Sequence, residues 1–400
     1  MNRAALIRGI QLIVALTLAT FAFLLWRAVA LKEADLAAGL STLRPAWLLV
    51  AAAFALQEGV CGGTRMFVLG RVLCPALTWR TAVSSEFVLM FVAGVTPGQL
   101  GAPVAQVATL VEGGMPFDAI ATAELLTAFC TLLFFLLSAA ALLVLRTQGM
   151  LVVPGAAGLD WLVAFSTVVF GSALLALVLC VVHPPLLKAL LRVGGGLCAV
   201  PWHPLRRGLG GVARLRRLRE SPALQPGVLG ERLQRAVDRV HEGFAVYVRR
   251  GRWAVAQAFG LTVAFFWARF SVAFFILKGL GLSTTPRHFV AAGPPFAQVI
   301  TVQSLLNFAL YLSPTPGASG IAEAGSNTLM SPWLPPAYEL PYLVLWRVLA
   351  LFLCMFVGGA YVFRYLGTDV LERRAREAEA AQRALDEGIP PPLPHTPTES

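Results

Sequence analysis

The hexapeptide Thr96-Pro97-Gly98-Gln99-Leu100-Gly101 returns later in the chain as Thr315-Pro316-Gly317-Ala318-Ser319-Gly320. Pro and Gly stop a helix, and a Gly-rich turn then opens a second helix whose first N–H groups have no intrahelical partner. Near the middle of a membrane such N-termini offer donors and a positive dipole end to an anion, of which phosphate is the obvious example. One such break alone would read as a packing kink. A near-identical pair favours a binding function.

Ionisable side chains inside apolar runs are the second feature with chemistry in it. Each costs about 2.5 to 3.5 kcal/mol on insertion scales and by default marks a path or a site. They are Glu58, Glu86, Glu124, Arg269, Glu323 and Arg347. Glu323 sits three residues past Gly320, where a carboxylate can cap exposed N–H groups or pair with an arginine. Arg269 and Arg347 lie too deep to snorkel easily, so each is expected to pair with a carboxylate or to bind an anionic headgroup. Gln99, Gln106, Gln303 and Asn307 add amides that could contact substrate or satisfy broken backbone; Gln303 and Asn307 share a helix face.

Composition names the medium in which these groups work. With 57% hydrophobic residues, 13% charged residues and a mean hydropathy of +0.72, the chain is no soluble domain. Its apolar runs repeat at membrane-spanning length, the mark of an all-α polytopic membrane protein. The net charge of +11 lies mostly between or after spans, which the positive-inside rule explains without nucleic acid. The six cysteines are scattered and read as small core residues. No two histidines stand at metal-ligand spacing beside a carboxylate cluster, so neither a metal nor a cofactor is expected. There is no G-x-S-x-G, H-E-x-x-H or Walker loop, and Gly194-Gly195-Gly196 lacks the residues of a phosphate loop.

The elements follow in order. A run from Gly9 to Trp26, flanked by Arg3, Arg8 and Arg27, reads as an uncleaved signal anchor, although Ala28-Val29-Ala30 resembles a peptidase site. A span from Pro45 to Gly63 ends in a basic segment (Arg65, Arg71, Arg80) assigned to the cytoplasm. Thr81 to Val95 and Pro103 to Val111 flank the first break, and Phe296 to Leu312 and Ile321 to Met330 flank the second. Each arm is shorter than the roughly 20 residues a crossing needs, so each pair reads as a re-entrant helical hairpin. Further spans are expected at Ala119 to Leu145, Trp161 to Val182, Trp253 to Leu277 and Tyr338 to Arg364. The total is about six full spans plus two hairpins, arranged as an inverted repeat with the hairpins opening from opposite sides.

This organisation gives a membrane domain over residues 1–366, with a first half (1–182), a cytoplasmic basic connection (183–252) and a second half (253–366). A charged helix and disordered tail follow at 367–400. The connection carries fourteen Lys or Arg against four acidic residues. Within it, Leu229, Leu233, Val237, Val240, Phe244 and Val248 form the apolar face of a basic helix. That helix either lies on an anionic leaflet or packs across the bundle's end. The threading puts both termini in the cytoplasm, with twenty-four Lys or Arg inside, five outside and three in the membrane.

At these blocks the chain resembles the family named after the transmembrane region of lysylphosphatidylglycerol synthase. Thr96-Pro97-Gly98-Gln99-Leu100-Gly101-Ala102-Pro103 is similar to its first block, and Ser313 to Glu323, with Pro314 and Pro316, to its S-P-x-P-G-G-x-G-x-x-E block. Ala102 and Ala318 stand where that family has Gly. The synthases add a soluble aminoacyl-transferase domain, which this sequence of 400 residues does not include. The resemblance therefore implies a flippase-like protein of a bacterial inner membrane that moves or handles lipids, not an aminoacyl transferase. It also implies membrane lipids as partners, with enzymes of a lipid pathway as secondary ones. The substrate-binding set is Thr96, Pro97, Gly98, Gly101, Pro103, Glu124, Arg269, Gln303, Asn307, Pro314, Thr315, Pro316, Gly317, Gly320, Glu323 and Arg347. Two alternatives stay open: a membrane enzyme or accessory acting on a lipid-linked sugar, with Glu323 or Glu124 as acid or base, and an ion-coupled transporter of a small solute.

Overall fold

The computed structural model describes residues 43–96, 99, 101–148, 159–183, 237–282, 295–311, 313, 315, 318, 320–330 and 334–367. The expected N-terminal anchor, most of the basic connection and the C-terminal charged helix lie outside these residues. So do Pro97, Gly98, Pro314, Pro316 and Gly317 of the two breaks.

The described chain is helical. Helix α1 (Pro45–Leu73) starts on a proline at its first turn and stops just before Cys74-Pro75. Helix α2 (Trp79–Val95) is capped by Thr78, whose hydroxyl accepts from the Thr81 N–H at 3.2 Å. It ends at Thr96, whose extended backbone is what a following proline imposes. Helix α3 (Ala102–Glu112) carries Pro103 in its first turn and ends at Gly113-Gly114. Long α4 (Phe117–Thr147) and α5 (Leu159–Val182) follow. Helix α6 (Arg252–Gly279) continues from a π turn (Tyr247–Gly251), and the helical stretch as a whole reaches back to Val237. The second short pair is α7 (Pro295–Tyr311) and α8 (Ile321–Met330). Last come α9 (Pro336–Arg347) and α10 (Leu353–Gly367), joined by a π turn (Val348–Phe352).

Among the described residues five helices are long and apolar enough to cross a membrane, and they match the five expected spans that fall there. The arms around each break are short, with 17 and 11 residues in α2 and α3 and 17 and 10 in α7 and α8. Residues 237–248 pack on the bundle: Val237 and Tyr247 are buried, and the Tyr247 hydroxyl donates to the Leu69 carbonyl at 2.5 Å. The second half's first span thus begins well before the expected Trp253.

The centre is built on α1. It packs most extensively on α6, where Phe54 stacks on Phe275 with centroids 4.9 Å apart. Toward α2 it presents Gly59, Gly62 and Gly63, and side chains there would run into Phe87, Glu86 and Val83. Close backbone approach through small residues is how helices gain packing when lipid supplies no hydrophobic drive. Gly358 of α10 rests against the Phe87 carbonyl of α2. A Gly358→Leu variant should push α10 off α2, at the upper end of the about 1–3 kcal/mol typical of overpacking. The check is a lower thermal midpoint and a broadened profile in size-exclusion chromatography. By contrast α5 turns Trp161, Val168, Leu175 and Val182 outward, as a helix facing acyl chains does.

Candidate functional site

The described residues of the two breaks match at several points. Gln99 and Ala318 occupy the same motif position, and both are left-handed, with φ of 60° and 54°. In each copy the N–H of that residue donates to the threonine carbonyl three residues back, Gln99 to Thr96 at 3.2 Å and Ala318 to Thr315 at 3.0 Å. In each, the carbonyl of the last glycine opens the next helix: Gly101 accepts from Ala105 at 3.1 Å and Gly320 from Ala324 at 3.0 Å. A left-handed residue is what reverses the chain this tightly. The copies differ at the last glycine, since Gly101 is right-handed and Gly320 has φ of 88°.

Gln99 and Ala318 both line one cavity of about 240 Å³ between the helices. Its walls carry Glu58 and Arg65 from α1, Glu86 from α2, Glu124 from α4, Arg269 from α6 and Arg347 from α9. Six ionisable groups around so small a space, in a bundle of apolar helices, make it the strongest candidate site.

Two of the cations are paired. Arg269 Nη1 donates to Glu58 Oε1 at 2.7 Å, joining α6 to α1. Arg347 approaches Glu323 Oε1 through both Nε and Nη2 at 2.6 Å. The other oxygen of Glu323 accepts the Gly320 N–H at 2.6 Å. Glu323 therefore does both jobs open to it, capping the first turn of α8 and tying that arm to α9.

The third cation differs. Arg65 is held by hydroxyls, its Nη1 donating to Thr262 at 3.2 Å and to Thr131 at 3.4 Å, and its guanidinium lies 5.5 Å from the centre of the Phe265 ring. Its Nε is buried and has no hydrogen-bond partner among the described residues. Gln106 Nε2 donates to Glu86 Oε2 at 3.3 Å, while Glu124 Oε1 is buried with no such partner.

The other expected residues divide. Thr96 stitches its own break, its hydroxyl donating to the Val92 carbonyl at 2.8 Å and accepting from the Gly101 N–H at 3.3 Å. Thr315 is engaged with Ser313 instead, the two hydroxyls 2.9 Å apart and the Thr315 N–H donating to Ser313 Oγ at 3.4 Å. Pro103 and Gly320 are exposed. Gln303 and Asn307 are buried and outside the cavity lining. Gln303 Nε2 donates to the Tyr342 hydroxyl at 3.4 Å, and that hydroxyl also meets Ser326 at 3.2 Å. This network joins α7, α8 and α9. Tyr342→Phe should lower stability by about 1 kcal/mol, read by thermal unfolding, and leave any activity of the cavity unchanged. Neither amide atom of Asn307 has a hydrogen-bond partner among the described residues.

Arg65 is the cavity residue that the sequence reading put elsewhere, in a cytoplasmic basic segment. The structure corrects this: α1 runs on through Gly62-Gly63 to Leu73, and Arg65 is only 7% exposed. Glu58, Gly62, Arg65 and Met66 recur at steps of four, three and one, one helical face, and all four line the cavity. That spacing was the available signal.

Comparison with known families bears on the same residues. The family model described as Lysylphosphatidylglycerol synthase TM region matches residues 12–358. No curated protein matches the chain.

Proposed function

Because the chain belongs to the lysylphosphatidylglycerol synthase TM region family, a family of polytopic membrane proteins, we propose that it moves a lipid with a polar, phosphate-bearing headgroup between leaflets. The headgroup occupies the charged cavity while the acyl tails stay in the bilayer. The observation that carries this reading is Arg65, a buried guanidinium on the cavity wall whose partners are hydroxyls and a ring rather than a carboxylate. Guanidinium matches phosphate geometry, and a cation that donates no hydrogen bond to a carboxylate has most to gain from an arriving anion.

The shared geometry of the breaks supports two re-entrant hairpins in an inverted repeat, each aiming a left-handed residue at the headgroup. The distribution of Lys and Arg supports both termini in the cytoplasm, and the family resemblance suggests a bacterial inner membrane. A second reading, an enzyme acting on a lipid-linked sugar, draws on one observation, the unpartnered oxygen of Glu124 at the cavity wall. Chemical conversion of a lipid-linked donor by purified protein would favour it.

The test is reconstitution into liposomes that carry headgroup-labelled phosphatidylglycerol, read by a membrane-impermeant reductant. The protein should expose inner-leaflet label, and Gly317→Leu, which is confirmed to fold by thermal unfolding, should not. Equal loss of label with and without protein would sink the proposal.

A further inference from the structure

The charges around the cavity do not balance. Arg269 is matched by Glu58 and Arg347 by Glu323, which leaves Arg65 alone to offset Glu86 and Glu124. Glu86 is 5% exposed and accepts one hydrogen bond from a neutral amide; one oxygen of Glu124 is buried without any. An unmatched carboxylate in so dry a place is costly, and two that share one cation resist being ionised together.

We propose that Glu86 and Glu124 hold one exchangeable proton between them, and that a second is taken up when an anionic phosphate engages Arg65. This rests on the reading of the cavity as a headgroup site and adds how movement through it could be driven. In the empty cavity, Arg65 offsets one carboxylate and a proton the other. A phosphate that draws on Arg65 uncovers the first carboxylate, which binds H⁺ from water; no electrons move. By linkage, each proton bound strengthens phosphate binding by the same factor that phosphate strengthens proton binding. An anionic lipid would then cross together with a proton, and a proton gradient would set its direction.

The other groups facing the pair leave this balance alone. Glu58, Arg269 and Arg347 are committed to ion pairs, and Tyr311 and Cys354 are ordinarily neutral near pH 7.

The test is infrared spectroscopy of the full chain in a phosphate-free maltoside detergent, following the C=O stretch of protonated carboxyl groups. The wild type should show a band that falls as the pH is raised and roughly doubles on adding an ether-linked phosphatidylglycerol, which has no ester C=O of its own to overlap it. Glu86→Gln and Glu124→Gln should each lose the starting band and keep an increase on adding the lipid, because Arg65 already offsets the one carboxylate left; the double variant should lose both. Arg65→Gln should start with the larger band and not respond. An increase with inorganic phosphate alone would also support the pair, assigning the anion as free phosphate instead of a lipid headgroup. A wild-type band that ignores both, a starting band that survives in both single glutamine variants, or an increase that survives in the double variant overturns the proposal. The readout needs no lipid movement, so a responsive band in a protein that moves no lipid defeats the translocation reading alone. Lipid movement without a responsive band defeats the proton pair alone.

Discussion

Arg347→Ala should lower stability by about 3–5 kcal/mol, the cost of stranding one member of a buried ion pair. The guanidinium and the Glu323 carboxylate are 4% and 2% exposed, so neither can be rescued by water when the other is removed. The damage should be local first. Glu323 caps the first turn of α8 through the Gly320 N–H and anchors that 10-residue arm to α9, and so short a helix has little stability of its own. Hydrogen exchange should therefore speed most in α8 and in the adjoining π turn, Val348–Phe352. Glu323→Gln keeps a hydrogen-bond acceptor for Gly320 while leaving Arg347 with an uncompensated charge, so it too should be destabilising. Stability and α8 protection equal to the wild type in both variants would mean that the pair does not hold the arm.

Arg65→Gln should instead spare the fold and remove function. Glutamine is two bonds too short to reach Thr262 and Thr131 as the Arg65 Nη1 does, and Glu86 and Glu124 then stay neutral by binding protons, so a fall of about 1 kcal/mol in stability is expected in a protein that still folds, whereas the charge offered to a phosphate is gone. A hydrogen bond to a charged group contributes about 1.5–3 kcal/mol, which corresponds to a fall of about 10- to 100-fold in the rate of labelled phosphatidylglycerol movement. Arg65→Lys should fall between the two, because an ammonium keeps the charge without the planar fork. Unaltered movement in Arg65→Gln would remove Arg65 from the site.

How much of this was legible in the chain varies with the range of the interaction. Span lengths are a local matter of apolar run and breaker, and Pro45, Thr96-Pro97 and Gly113-Gly114 mark helix ends where the structure has them. The breaks were legible for the same reason. Pairings were not: Arg269 finds Glu58 across 211 residues of sequence, so the sequence could offer a pair or a headgroup without choosing. Arg65 was misplaced because Arg71 and Arg80 follow it, and a run of arginines after Gly62-Gly63 imitates the end of a span. Those glycines instead let α1 lie against Val83 and Glu86 and continue, a packing fact that no local pattern carries. Gln303 was singled out for its amide, yet its partner Tyr342 lies 39 residues on, in a network outside the cavity.

The most direct test of the headgroup site is photocrosslinking. Phosphatidylglycerol with a photoreactive group on its headgroup glycerol would be irradiated with the protein in nanodiscs and the adducts mapped by mass spectrometry. If the cavity carries the headgroup, adducts should fall in Gly62–Met66, Leu89–Gly94 and around Gln99, and should drop sharply in Arg65→Gln. Adducts confined to outward positions such as Val168 and Leu175 of α5, and unchanged in Arg65→Gln, would contradict it.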